Sequence, residues 1–392
     1  MPYPPNDGGA IATLNMIKGF VNRADSVTVL AMQTYKHPLS ISELPKNISK
    51  SINWHQVEVN TRLNPFLALA NILFSTKPYN AVRFESKAFG KKLEQLLLSH
   101  NFDIVQLEGL YLYSYENAIR KHSNAKIVLR AHNIEHEIWQ RLAKNATSPP
   151  KRFYLNLLAK RVMRLEFELL KKVDLLVPIT RRDADVLQIA DAGKVMVSPT
   201  GIEESKFELS SPKYHKSLFY IGALDWSPNQ EALMWFLDQV WVNVKKEFEN
   251  WEFVIAGRNA PPSFVSDLKK YPVKYIGEVG SATQFIDEHN IMVVPLLSGS
   301  GMRIKIIEGM ARGKCILTTK IGAEGIPAKN GHSIYIQNTA HEFINVLNKL
   351  MQNSNQINEC GKNAFIFVRN NYNNNVIVNK LREFYIKHIN NA

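Results

Sequence analysis

Short apolar runs recur along the whole chain, and they restrict what it can fold into. In the first half they are VTVLAM (27–32), WHQVEV (54–59), DIVQL (103–107), KIVLRA (126–131), DLLVPI (174–179) and KVMVS (194–198). In the second half they are SLFYIG (217–222), WEFVIAG (251–257), VKYIG (273–277), IMVVPLL (291–297), CILTT (315–319) and SIYI (333–336). Most are continuous rather than alternating, as strands buried on both faces are. Stretches of helical periodicity separate them, the clearest being RFYLNLLAKRVMRLEFELLKK at 152–172. This alternation predicts an α/β protein with parallel sheets.

The polar segment EESKFELSSPKYHK (203–216) lacks periodicity and reads as an inter-domain linker. Each half then supplies one doubly wound, Rossmann-like domain, with a cleft between them. The expected boundaries are 1–205 and 206–370, followed over 371–392 by an Asn-rich turn and an amphipathic helix. The chain opens MPYPPNDGGAI. A Gly-Gly loop before a helix normally follows a strand, and none precedes it here. The expectation is that the first strand is missing and that the true start lies upstream of Met1.

A length of 392 residues predicts two or three domains at about 150 residues each. With 45% hydrophobic and 21% charged residues, disorder, collagen and coiled coil are excluded. Two cysteines, Cys315 and Cys360, exclude a disulfide framework and a cysteine-built metal site. They read as reduced core thiols of a cytoplasmic protein. No run approaches the roughly 20 apolar residues of a spanning helix, and the N-terminus shows no signal-peptide pattern. The net charge of +13 would attract nucleic acid, an anionic membrane or a negatively charged small substrate. Dispersed cations and the lack of any nucleic-acid motif set the first aside.

The segment VVPLLSGSGMRIKIIEGMARGKCILTT (293–319) is the most informative. A buried strand ends at Pro295. The loop Gly299, Ser300, Gly301 follows, and a helix is expected from near Met302 to Gly313. Glycines let the backbone approach a ligand closely, and a helix N-terminus suits a phosphate. Arg303 and Lys305 are cations in a first turn where the helix dipole favours acids, and a diphosphate would explain them. Glu308, a turn further on, could accept hydrogen bonds from ribose hydroxyls. A solvent-exposed basic turn with a surface Glu is the plainer alternative. The partial GxGxxG lacks its third glycine, so a dinucleotide dehydrogenase is poorly supported.

This segment resembles the donor-binding motif of retaining glycosyltransferases of family four, which have the two-domain GT-B fold. Its GSGMRIK loop is similar to a subgroup from bacterial polysaccharide loci. The family pattern is Glu, seven residues, Glu. Glu308 matches the second, whereas Ser300 stands where the first would be. YIGALDWSPNQEAL (220–233) resembles the first strand and turn of the donor domain, with Asp225, Pro228 and Asn229 in place. The Arg and Lys common in that region are absent, so Arg303 and Lys305 would supply the charge. PYPPNDGGAI (2–11) resembles the N-domain glycine loop, placing Gly8 and Gly9 near the donor phosphates. LRAHNIEHEIW (129–139) places His132 after a strand, where the family keeps a histidine near the reacting sugar.

The resemblance therefore implies a transferase moving a sugar from a nucleoside-diphosphate sugar to a hydroxyl of a glycan or glycolipid, with retention of configuration. His132 and Glu308 would be its catalytic residues. Gly8, Gly9, Asn229, Gly299, Ser300, Gly301, Met302, Arg303 and Lys305 would bind the donor. The C-terminal helix would return to the N-domain, and no cofactor beyond the donor is expected. A sugar-nucleotide epimerase on the same fold and a non-enzymatic binder of anionic polymer remain alternatives.

Three further features have competing readings. His132 and His136 are four residues apart, as metal ligands on a helix are, but the order His-Glu-x-x-His is not met. Asp183-Ala184-Asp185 spells a metal-diphosphate motif, yet Thr180 and Asp183 read better as a helix cap. No metal is expected. Finally, NPFLALANILFSTKPYNAVRF (64–84) is either a buried helix or an element touching an acceptor or the inner membrane surface. The helix at 374–389 could likewise touch anionic lipid, or pack across the two domains.

Overall fold

The computed structural model describes residues 2–5, 8–23, 25–188, 191–211, 213, 216–299 and 301–390. They form two units, Met1–Gly201 with Asn374–Ala392, and Ile202–Asn373.

The second unit contains one sheet of six parallel strands: β6 (Ser217–Ile221), β7 (Glu252–Ala256), β8 (Lys274–Gly277), β9 (Ile291–Val294), β10 (Cys315–Thr318) and β11 (Tyr335–Ile336). Their order is β11-β10-β9-β6-β7-β8, the doubly wound order. Both faces are covered. Leu218, Tyr220, Phe253, Ile255, Val293 and Leu317 point into one core, and Phe219, Val254, Met292, Val294 and Ile316 into the other. Alternate residues of each strand therefore enter different apolar layers, which is why the runs read as continuous.

The stretch expected as a linker belongs to this unit where it is described. Ile202, just before it, is buried, and its N–H donates to the Tyr372 carbonyl at 2.7 Å. Glu208 binds the Arg312 guanidinium at 2.8 Å. Glu204 and Lys206 likewise meet Arg369 and Glu308 on the unit, so lack of periodicity did not mean lack of packing. The helix Ser354–Tyr372 sits tight on the turn before β10. A Cβ on Gly361 would lie 2.0 Å from the Gly313 carbonyl oxygen. Gly361→Ala is thus expected to destabilise the protein by about 3 kcal/mol, the upper end for overpacking against rigid atoms. A thermal melt would show it, and an unchanged Tm would contradict the packing.

The first unit has two parallel sheets. One pairs β1 (Thr28–Gln33) with β2 (Asn53–Glu58), and the other orders β3 (Ile104–Glu108), β4 (Lys126–Ala131) and β5 (Leu175–Pro178). The run KVMVS, expected as a strand, follows β5 only part-way. Met196 and Ser198 donate to the Leu176 and Pro178 carbonyls, but Pro178 has no N–H to return. The ladder stops there. The C-terminal helix Asn374–Asn390 belongs to this first unit. Its Leu381 and Tyr385 join Met16, Val128, Leu175 and Val177 in one core, and the Asn374 amide donates to the Asn15 carbonyl at 2.7 Å. Its apolar face is used inside the unit and is not free for lipid.

Candidate functional site

In the second unit the chain runs outward from β6 to β8, then returns to place β9 on the other side of β6. Loops leaving the C-terminal ends of β6 and β9 diverge at this switch point, where doubly wound sheets bind ligands. The loop after β9 contains Gly299 at φ 112° and Gly301 at φ 84°, a region that side-chain-bearing residues rarely adopt. Ser300 lies outside the described residues. A Cβ on Gly299 would come within 2.8 Å of the Arg303 guanidinium.

The helix that follows is Ile304–Ala311, two residues later than expected. Arg303 is its cap residue, with ψ 89°, so only Lys305 stands in the first turn. The left-handed Gly301 and the non-helical Arg303 delay the start. Met302 is a partly buried loop residue. Arg303 is buried, its guanidinium 5.7 Å from the ring centre of Trp226.

Lys305 reaches back to β6. Its Nζ donates to the Tyr220 hydroxyl at 3.0 Å and lies 4.4 Å from that ring's centre. Space for it exists because residue 222 is glycine, whose Cβ would fall 2.5 Å from Nζ. Burial, with the charge of Arg303 beside it, lowers the Lys305 ammonium to about 7. An ammonium so depressed gains from any anion that restores its charge. Glu308 projects one turn further on, partly exposed, with Lys206 Nζ 3.4 Å away.

Asn229 uses only its amide nitrogen on the protein itself, and its side-chain oxygen meets no hydrogen-bond partner among the described residues. It is buried, and its amide donates to the Ala223 carbonyl at 2.7 Å, fixing the turn after β6. Tyr220, Gly222 and Trp226 were not singled out from sequence as site residues. An aromatic at the penultimate strand position beside a glycine was the only available signal.

The first unit holds a polar cluster at the ends of β3 and β4. His132 follows β4 directly, and its Nε2 lies 2.6 Å from Glu108 Oε2. Glu108 ends β3 and is in register with Arg130. The Arg130 guanidinium is 3.6 Å from the same carboxylate and donates to the Ala12 carbonyl at 3.2 Å. Thr13 donates to Glu108 Oε2 at 2.9 Å, and Gln106 donates to Oε1. Burial alone would raise the Glu108 carboxyl, but Arg130 and the hydrogen bonds from His132 and Gln106 outweigh it and lower it to about 2. Glu108 is therefore ionised and only accepts, so His132 Nε2 carries a hydrogen. Sequence reading missed Glu108 because its partners are brought to it by strand register.

Gly8 and Gly9 are the first two residues of the helix Gly8–Val21, not a loop. Their amides are among the first four N–H groups of that helix, which have no partner within it. His136 serves another carboxylate. Its Nδ1 is 2.5 Å from Glu166 Oε2, and both residues are buried. His132 and His136 thus face different partners, and among the described residues no three acids, histidines or cysteines cluster as metal ligands do. Asp183 N–H donates to Thr180 Oγ at 3.0 Å, the cap read from sequence.

Residues 215–353 match the family model described as Glycosyl transferases group 1. A Klebsiella pneumoniae relative, an uncharacterized 44.6 kDa protein in the cps region, is 24% identical over 97% of this chain and 96% of its own. Among solved structures, the sucrose-phosphate synthase of Thermosynechococcus elongatus superposes with a TM-score of 0.70 at 14% identity, covering 98% of this chain and 94% of that one. Anabaena HepE in complex with UDP-glucose superposes at 0.63 with 13% identity, covering 96% and 95%. The fold is GT-B. Fold and matched domain together support a glycosyltransferase.

Proposed function

We propose that the protein transfers a sugar, with retention of configuration, from a uridine-diphosphate sugar to a hydroxyl of a glycan or lipid-linked glycan during polysaccharide synthesis. The observation that carries this reading is Lys305, packed against Tyr220 and Gly222 in the first turn of the helix that follows a left-handed glycine loop at a sheet switch point. The likeness to HepE, solved with UDP-glucose, favours uridine, and the cps-region relative favours a polysaccharide product. Retention follows from the family resemblance.

In this reading Glu308 holds the ribose. Lys305, Arg303 and the amides of Gly301 and Met302 take the diphosphate, as cations and a helix N-terminus stabilise a leaving anion without a metal. Gly8 and Gly9 offer helix-terminal amides suited to a phosphate. His132 contacts the reacting sugar, and Glu108 orients its ring. The protein works in the cytoplasm, in peripheral contact with an anionic membrane.

A thermal-shift series with UDP, GDP, ADP, CMP and dTDP, with and without EDTA, tests the donor. UDP should raise the melting point selectively, EDTA should leave the shift intact, and Glu308→Ala should weaken UDP binding at least tenfold. A Glu308→Ala protein with wild-type affinity and turnover would sink the assignment. Conversion of the nucleotide sugar without acceptor would instead identify an epimerase.

A further inference from the structure

The helix Pro65–Phe74 has its polarity inverted. Asn64 caps it, and Ala68, Asn71 and Ile72, spaced as one helical face, are its only residues that are not fully exposed. Arg161 clasps that inner side by donating to the Asn71 and Ile72 carbonyls at 3.1 and 2.9 Å. The large apolar residues point the other way. Phe66 is 84% exposed, Phe74 85%, and Leu67, Leu69 and Leu73 are each more than half exposed, with Leu63 beside them. An ordinary surface helix turns this stripe inward. Here the apolar arc is turned out over about 15 Å of helix.

Charge narrows the choice of occupant. No acidic residue occurs from 59 to 84, while Arg62, Lys77 and Arg83 do. Lys77 is paired with Glu85 at 3.1 Å, and Arg83 donates to the Thr61 carbonyl, but Arg62 is exposed beside the helix. Arg62 and Arg83 line a groove at the foot of the helix with Phe66, Tyr79 and Glu85, whose carboxylate is the one Lys77 pairs. On the helix Pro149–Leu170, which carries Arg161, the exposed Lys160 and Arg164 lie within one turn of it, and Lys151, Arg152 and the 72%-exposed Phe153 stand nearer its start. An outward apolar arc with cations around it matches the two layers of an anionic lipid surface, acyl chains within and phosphates at the rim. A neutral or basic protein partner would satisfy the apolar part alone. Among the described residues no helix is long and apolar enough to cross a membrane, so contact would be from one side.

We propose that this helix seats the protein on an anionic phospholipid bilayer. The proposal deepens the peripheral-contact reading above and is independent of the donor chemistry. The full chain, without nucleotide, should co-sediment with vesicles of phosphatidylcholine and phosphatidylglycerol at least tenfold better than with phosphatidylcholine alone. Raising salt from 0.1 to 0.5 M should remove most of that preference. The double variant Phe66→Ser with Phe74→Ser should bind roughly a hundredfold more weakly, from the apolar area lost. Its melting point should be unchanged, because both rings are exposed in the folded protein. Absence of vesicle binding by the wild type, or equal binding by the double variant, would overturn the proposal. So would a concentration-dependent dimer in sedimentation that the double variant abolishes, which would give this face to a second copy. Neither result touches nucleotide binding, so the transferase reading is judged separately.

Discussion

Arg130→Met is expected to destabilise the protein by about 3 kcal/mol, because it leaves an ionised carboxylate without its fixed counter-charge. The value is at the low end of that class since the Glu108 side chain keeps 26% of its exposure, whereas Arg130 keeps 1%. At about 2–4 °C per kcal/mol for a unit of this size, the melting point should fall by roughly 6–12 °C. The pH dependence has a definite sign. Glu108 is held at about 2 in the folded protein, below its value in the unfolded chain. Its contribution is complete above the unfolded value, near 4.5, and is lost as pH falls toward 2. The gap between wild type and variant should therefore be widest near neutrality and narrow in acid. Adding Glu108→Gln to the variant should recover a substantial part of the loss, because the stranded charge is removed. A double variant no more stable than Arg130→Met would mean that packing, not charge, is what Arg130 supplies.

Lys305→Met is expected to lower kcat/KM for the donor by about a hundred- to a thousandfold, the usual cost of removing one charged stabiliser at a leaving anion. The wild-type protein should also take up a proton when it binds UDP above neutral pH. Free Lys305 is lowered to about 7 by burial and by Arg303, and a diphosphate beside it would raise it again. Affinity should then be flat just below pH 7 and fall above it, by up to tenfold per unit. Calorimetry at pH 8 in buffers of different ionisation enthalpy would count the proton, and Lys305→Met should abolish the count. Equal enthalpies in all buffers would place the diphosphate elsewhere.

These two residues show what could be read in advance. Lys305 was legible because a cation in a helix first turn contradicts the helix dipole, a local rule that needs no tertiary information. Its depressed protonation was not legible. That depends on the charge of Arg303 and on burial beside Tyr220 and Gly222, which lie some 85 residues earlier in the chain and meet Lys305 only because β6 and β9 are neighbours. Arg303 shows a smaller miss, since the spacing that put it in the helix could not report the backbone angles of Gly301. Glu108 was invisible altogether. A single Glu at the end of an apolar run looks like a strand meeting solvent, and it becomes a partner of Arg130 and His132 only through the register of β3 on β4.

The helix Pro65–Phe74 marks the same division. Its composition permitted a buried helix or a surface element equally, since periodicity shows that an apolar face exists but not which way it is turned. Asn71, Arg161 and the packing of two elements decided that. By itself the sequence determined the parallel α/β class, most strand positions and the glycine loop before the helix of Lys305, because these depend on local periodicity, glycine freedom and helix-end electrostatics. Only the tertiary structure decided which charges are paired, which amide is spent on a turn and which apolar face is left uncovered, because each of those is set by residues far apart in the chain.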